Sequence, residues 1–136
     1  MRGTSRDEGG LAEIEAAGLE PARADPDRPG SLLELVADVA AIHWLLGSAS
    51  GAPAQVAALH GPRLERLLEK LVETPVRGFV YEAAGTAPSS YLRGGEEIVR
   101  GAGERWRIPV EVVGCDPRDS AAWLAGMLAA TRNLIA

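Results

Sequence analysis

Val39-Ala40-Ala41-Ile42-His43-Trp44-Leu45-Leu46 is the stretch that decides how this chain folds. Only His43 interrupts an otherwise apolar run, which fits a parallel strand covered on both faces rather than a half-exposed strand with alternating residues. Outward from it, the small residues Gly47-Ser48-Ala49-Ser50-Gly51 form a loop, and Pro53 opens a helix expected to reach about Glu73. Val56, Leu59, Leu67, Leu68 and Leu71 give that helix an apolar side, while Arg63, Glu65, Arg66, Glu69 and Lys70 give it a charged one. Thr74-Pro75 ends it, and Val76 to Glu82 (VRGFVYE) reads as a second buried strand. The loop Ala83-Ala84-Gly85-Thr86-Ala87 leads to a helix over roughly 88–105. A third strand spans Ile108 to Val113, with Pro109 favouring its start. Asp119 or Ser120 then caps a last helix carrying Trp123, Leu124, Met127, Leu128 and Leu134. Strands alternating with helices predict an α/β fold, a parallel sheet with right-handed crossovers.

The segment before Val39 follows the same grammar more weakly. Residues 7–17 read as a short helix with Asp7 as N-cap, Leu11 and Ile14 on one face and Gly18 as its stop. Leu19 to Ala24 is a weak strand that Pro21 moves toward an edge. Asp25 to Gly30 is a loop, and Ser31 with Glu34 forms a capping-box pattern ahead of Leu32, Leu33, Leu35 and Val36. Met1 to Asp7 looks like the end of a strand and the turn after it.

At 136 residues the chain is expected to be one domain, residues 1–136. A formal charge of −5 argues against a nucleic-acid or anionic-membrane surface. No apolar run approaches the roughly 20 residues that span a bilayer, and Met1 to Gly10 is too polar for a signal peptide. A soluble cytoplasmic domain is the expectation. A single cysteine, Cys115, excludes an internal disulfide framework. His43 and His60 have no cysteine or carboxylate at metal-ligand spacing, so no metal is expected. Gly47-Ser48-Ala49-Ser50-Gly51 places Ala49, not serine, at the centre of a would-be nucleophile elbow.

The chain resembles the atypical, extended-type short-chain dehydrogenase/reductase relatives, the NAD(P)-binding, epimerase/dehydratase-like proteins with a Rossmann fold. The string AALHGPRLERLLEKLVETPVRGFVYEAAGT, Ala57 to Thr86, is similar to a bacterial subgroup of unassigned activity. The resemblance covers the part of that fold downstream of its first strand and helix. It implies that Thr4, Ser5 and Arg6 form the turn meeting the adenosine ribose, where arginine suits a 2′-phosphate and favours NADP over NAD. It implies that Asp25 and Pro26 meet the adenine, with an Asx turn as the competing reading of Asp25. Leu46, Gly47 and Ser48 match the segment approaching the ribose and pyrophosphate. Thr86 matches the position of a catalytic Ser or Thr.

Hydride-transferring relatives pair a tyrosine with a lysine four residues later. Gly85 follows Tyr81 at that spacing and Gly95 follows Tyr91, while Lys70 precedes both. No glycine-rich turn stands between a strand and a helix to hold the pyrophosphate. The resemblance therefore implies an NAD(P)-binding domain without catalytic activity of its own. One alternative is an NADP-dependent oxidoreductase or epimerase-like enzyme whose reading frame begins too late, working through Thr86, Tyr81 or Glu82. The others are a non-catalytic nucleotide-sensing or interaction module, or an inactive gene fragment. In the strand order 3-2-1-4-5-6 the first strand is central. Without it the second and third strands are separated from the rest. Two outcomes are open: the N-terminal strands detach or re-pair, leaving a compact unit from about residue 31 onward, or the start of the reading frame is misassigned.

Overall fold

The structure, a computed structural model, describes residues 1–135 and places their strands in two parallel sheets. The first pairs β1 (Arg2–Ser5) with β2 (Glu20–Arg23) across helix α1 (Glu8–Ala16). The second has the order β3-β4-β5, from β3 (Ala41–Trp44), β4 (Gly78–Glu82) and β5 (Val110–Val113). The expected α/β architecture with parallel strands is present, and β1 and β2 form a sheet apart from β3, β4 and β5.

Helices α2 (Pro29–Leu33), α3 (Pro53–Leu59), α4 (Pro62–Leu71), α5 (Ser89–Trp106) and α6 (Ser120–Ile135) complete the chain. Every residue of the central strand β4 is buried. Alternation divides its side chains between two cores. Phe79 and Tyr81 meet Trp44, Leu64, Leu67, Leu68, Leu71 and Val99 on the side of α4 and α5. Val80 meets Val113, Met127 and Ala130 beneath α6. No described helix is long and apolar enough to cross a membrane.

Three local readings need correction. The helix expected from Pro53 to about Glu73 is two helices, broken at His60-Gly61. Pro62 has no N–H for the carbonyl four residues back and its ring crowds that carbonyl, so the first helix must stop and a second begins with Pro62. The Leu59 carbonyl freed by the break accepts the Trp44 indole N–H at 3.2 Å. The Ser31–Glu34 capping box does not form, because α2 already starts at Pro29. Ser31 Oγ instead donates to the Arg28 carbonyl at 2.7 Å and accepts from the Asp25 N–H at 3.0 Å. The strand expected over Val39 to Leu46 narrows to Ala41–Trp44. Asp7 does cap α1, accepting from the Gly10 N–H at 2.7 Å, and Asp119 Oδ1 accepts from the Ala122 N–H at the start of α6.

Candidate functional site

Parallel strands deliver their following loops to one sheet edge, where α/β proteins bind ligands. Here the loops after β3 and β4 are laced together at that edge. The Gly47 carbonyl accepts the Ala87 N–H at 2.9 Å, and Ser48 Oγ accepts the Thr86 N–H at 3.2 Å. The contact requires glycine on both sides. A Cβ on Gly47 would overlap the Ala84 carbonyl, and one on Gly85, whose φ is 145°, would overlap the backbone of Gly47. Ser48, Thr86, Ser89, Asp116 and Arg118 line a cleft of about 330 Å³ at this edge. A second, of about 390 Å³, lies against Glu82, Pro117 and Trp123.

Two buried polar side chains brace the loops from beneath. Glu82 is 4% exposed, yet both oxygens are satisfied. Oε1 accepts the Gly47 N–H at 2.8 Å and Oε2 accepts the Trp123 indole N–H at 2.7 Å. The carboxylate thus ties the β3 loop to α6. His60, at the end of α3, donates from Nε2 to the Leu46 carbonyl at 3.0 Å and accepts from the Tyr81 hydroxyl at Nδ1, 2.6 Å away. The Leu46 carbonyl can only accept, so it fixes this tautomer. Burial lowers the His60 pKa, partly offset by the Leu46 carbonyl and the Glu82 charge. Burial also raises the Tyr81 phenol, as do the negative charges of Glu96 and Glu82.

A different constellation sits at the matching ends of β1 and β2. Arg6 NH1 lies 3.8 Å from Asp27 Oδ2, and Arg63 Nε of α4 lies 3.7 Å from Asp27 Oδ1. The turn that presents Asp27 is ordered by Asp25, whose Oδ1 accepts the Asp27 N–H at 2.9 Å. Arg23 holds the turn carrying Arg6 by donating to the Arg6 carbonyl at 2.7 Å, and pairs with Glu8.

The expected site residues therefore fall into two groups. Thr4, Ser5, Arg6, Asp25 and Pro26 gather at the end of the first sheet, with Asp25 forming the Asx turn. Leu46, Gly47, Ser48 and Thr86 gather at the end of the second. The Arg63–Asp27 pair links the loop after β2 to α4. Tyr81 faces neither cleft: it is fully buried in the core with its hydroxyl engaged by His60. Asp27 and Arg63 lie outside the expected site residues. A charged helix face and a polar loop carry no sign of their meeting in space.

No family model matches the chain, and neither does any curated protein. Among solved structures it is similar to the triphenylmethane reductase of Citrobacter sp., determined in complex with NADP(H), at 14% identity with a TM-score of 0.59. The match covers 82% of this chain and 38% of the reductase, so the chain spans well under half of that protein. At this identity the likeness concerns the fold: parallel sheets with flanking helices, matching a partial Rossmann-like fold.

Proposed function

We propose that this chain is an NAD(P)-binding Rossmann-like domain, with the dinucleotide lying along the ends of β1, β2 and β3 and with NADP preferred over NAD. The observation that carries this reading is the placement of Arg6, Asp25, Gly47 and Ser48, all on loops that leave the carboxyl ends of parallel strands. The donor set fits the adenosine end of the cofactor. Arg6 keeps an exposed guanidinium with only a long ion pair to satisfy, and Gly47 and Ser48 offer a small, closely packed loop beside a cleft. It fits the pyrophosphate end less well, since among the described residues no glycine-rich turn joins a strand to a helix.

Binding rather than catalysis is the proposed role, because the Tyr81 hydroxyl is committed to His60 and Thr86 brings only a neutral hydroxyl to the cleft. The family relationship to the short-chain dehydrogenases belongs to the same proposal, as do a single domain over residues 1–136 and a cytoplasmic setting. Titration with NADPH and NADH, followed by nicotinamide fluorescence, tests it. NADPH should bind more tightly than NADH. Failure of both to bind overturns the reading, and equal affinities overturn the preference.

A further inference from the structure

Three features invite a further role: the exposed Leu124 and Leu128 on α6, the hydroxyl-lined cleft at Thr86, and the cluster that joins Arg6 to Asp27 and Arg63, two residues outside the expected site. The cluster goes furthest. Its three side chains come from three separate segments, the turn after β1, the loop after β2 and the first turn of α4, so their meeting is a product of the fold.

Two guanidiniums converge on the Asp27 carboxylate, and the Asp25 carboxylate beside it is engaged by the Asp27 N–H. Both ion pairs are long, at 3.7 and 3.8 Å, and neither is a hydrogen bond at these distances. Arg6 and Arg63 are 60% and 47% exposed at their side chains, so solvent screening weakens the pairs further. Each guanidinium therefore retains its planar donors, the fork that recognises phosphate in bidentate fashion. Because both reach the same carboxylate, a single small anion in its place would touch both. Asp27 itself is held by its backbone bond to Asp25, so its side chain can rotate away without loss of the turn.

We propose that Arg6 and Arg63 together grip the phosphate monoester of an adenosine 2′-phosphate, and that Asp27 occupies this position until the ligand displaces it. The inference rests on the cofactor reading above and extends it in two ways. It assigns the second cation to α4, and it makes Asp27 a competitor that sets how strongly the phosphate is preferred. A phosphate monoester carries about −1.5 to −2 at pH 7 against −1 for the carboxylate, which gives the exchange its direction.

Calorimetric titration of the full chain with adenosine 2′,5′-bisphosphate and with adenosine 5′-monophosphate tests this, with circular dichroism to verify folding. Arg63→Ala should weaken the bisphosphate by about tenfold or more, the loss of a charge-assisted contact, and leave the monophosphate unchanged. Arg6→Ala should do the same. Asp27→Asn should tighten the bisphosphate by roughly threefold or more, the release of a weak ion-pair competitor. Bisphosphate binding that Arg63→Ala leaves intact overturns the second cation while NADP binding through Arg6 stands. Weaker binding by Asp27→Asn overturns the competitor role. No binding of the bisphosphate to the unaltered chain overturns the proposal; NADPH titration then shows whether the cofactor reading falls with it.

Discussion

The Nε2–H of His60 is committed to the Leu46 carbonyl, so its Nδ1 must accept, and the Tyr81 hydroxyl supplies the proton. Protonating the ring would turn both nitrogens into donors and force the hydroxyl to turn toward the Leu92 carbonyl, 3.5 Å away. His43 is also held below the ordinary imidazole value by burial, with Nε2 on Thr131 Oγ1 at 2.8 Å. For both groups the folded pKa lies below the unfolded value near 6.5, so between those values the unfolded chain binds more protons. Their stabilisation is thus complete above about pH 6.5 and is lost as pH falls toward the depressed folded values. The free energy of unfolding measured in urea should drop between pH 7.5 and 5, by no more than about 1.4 kcal/mol per pH unit for each imidazole. His43→Gln and His60→Gln should each flatten that dependence; an unchanged slope in both variants would assign it elsewhere. The sequence places His43 in an apolar run and His60 in a helix, with no metal ligand at the right spacing for either. It does not reveal the His60–Tyr81 bond, because residues 21 apart meet only after α4 has turned the chain back.

At the scale of an element, the adjacent glycines of α5 make opposite demands. A Cβ on Gly94 meets nothing within 4 Å, whereas one on Gly95 would overlap the Tyr81 hydroxyl. Alanine at Gly94 should therefore stabilise the protein by about 0.5–1 kcal/mol through helix propensity alone. Alanine at Gly95 should destabilise it by about 1–3 kcal/mol, because a fully buried phenol bound to His60 has no room to yield. Thermal or chemical denaturation of the two variants checks this, and equal effects would mean that α5 does not sit against Tyr81. Periodicity alone predicted α5 to within a residue or two, since eighteen residues give a strong helical signal. Over Pro53–Leu71 the same periodicity misleads. The apolar face continues across the break, so periodicity reads one helix, and only the Gly61-Pro62 dipeptide betrays two. The same logic explains β3. Apolar residues on either side of Ala41–Trp44 extend the hydrophobic run without extending the ladder, because Val39 and Leu46 pack against the core from loops.

For the whole molecule, the division into two sheets governs how stability is distributed. The three-stranded sheet carries the large apolar cores, whereas α1 contributes no buried residue and Ala24 is the buried apolar residue nearest β2. What fastens β1–α1–β2 to the rest is largely polar. Arg2 donates to the Leu35 carbonyl at 2.6 Å and pairs with Asp38, and Arg63 reaches Asp27. Exposed ion pairs of this kind contribute about 0–1 kcal/mol each, far less than burial of a few Leu or Phe side chains at about 1.5–3 kcal/mol each. The first sheet should therefore open without global unfolding. In native-state hydrogen exchange, amides of Gly3–Arg23 should show protection roughly a hundredfold below those of Gly78–Glu82. Adenosine 2′,5′-bisphosphate gripped by Arg6 after β1 and by Arg63 of α4, a helix whose leucines belong to the main core, would bind the closed arrangement preferentially. It should raise the protection of β1 and β2 while leaving β4 nearly unchanged, because a ligand stabilises the form to which it binds. Uniform protection across both sheets would mean that polar fastenings and apolar core open as one cooperative unit. A ligand effect confined to the turn around Arg6 would mean that the phosphate is held by Arg6 alone.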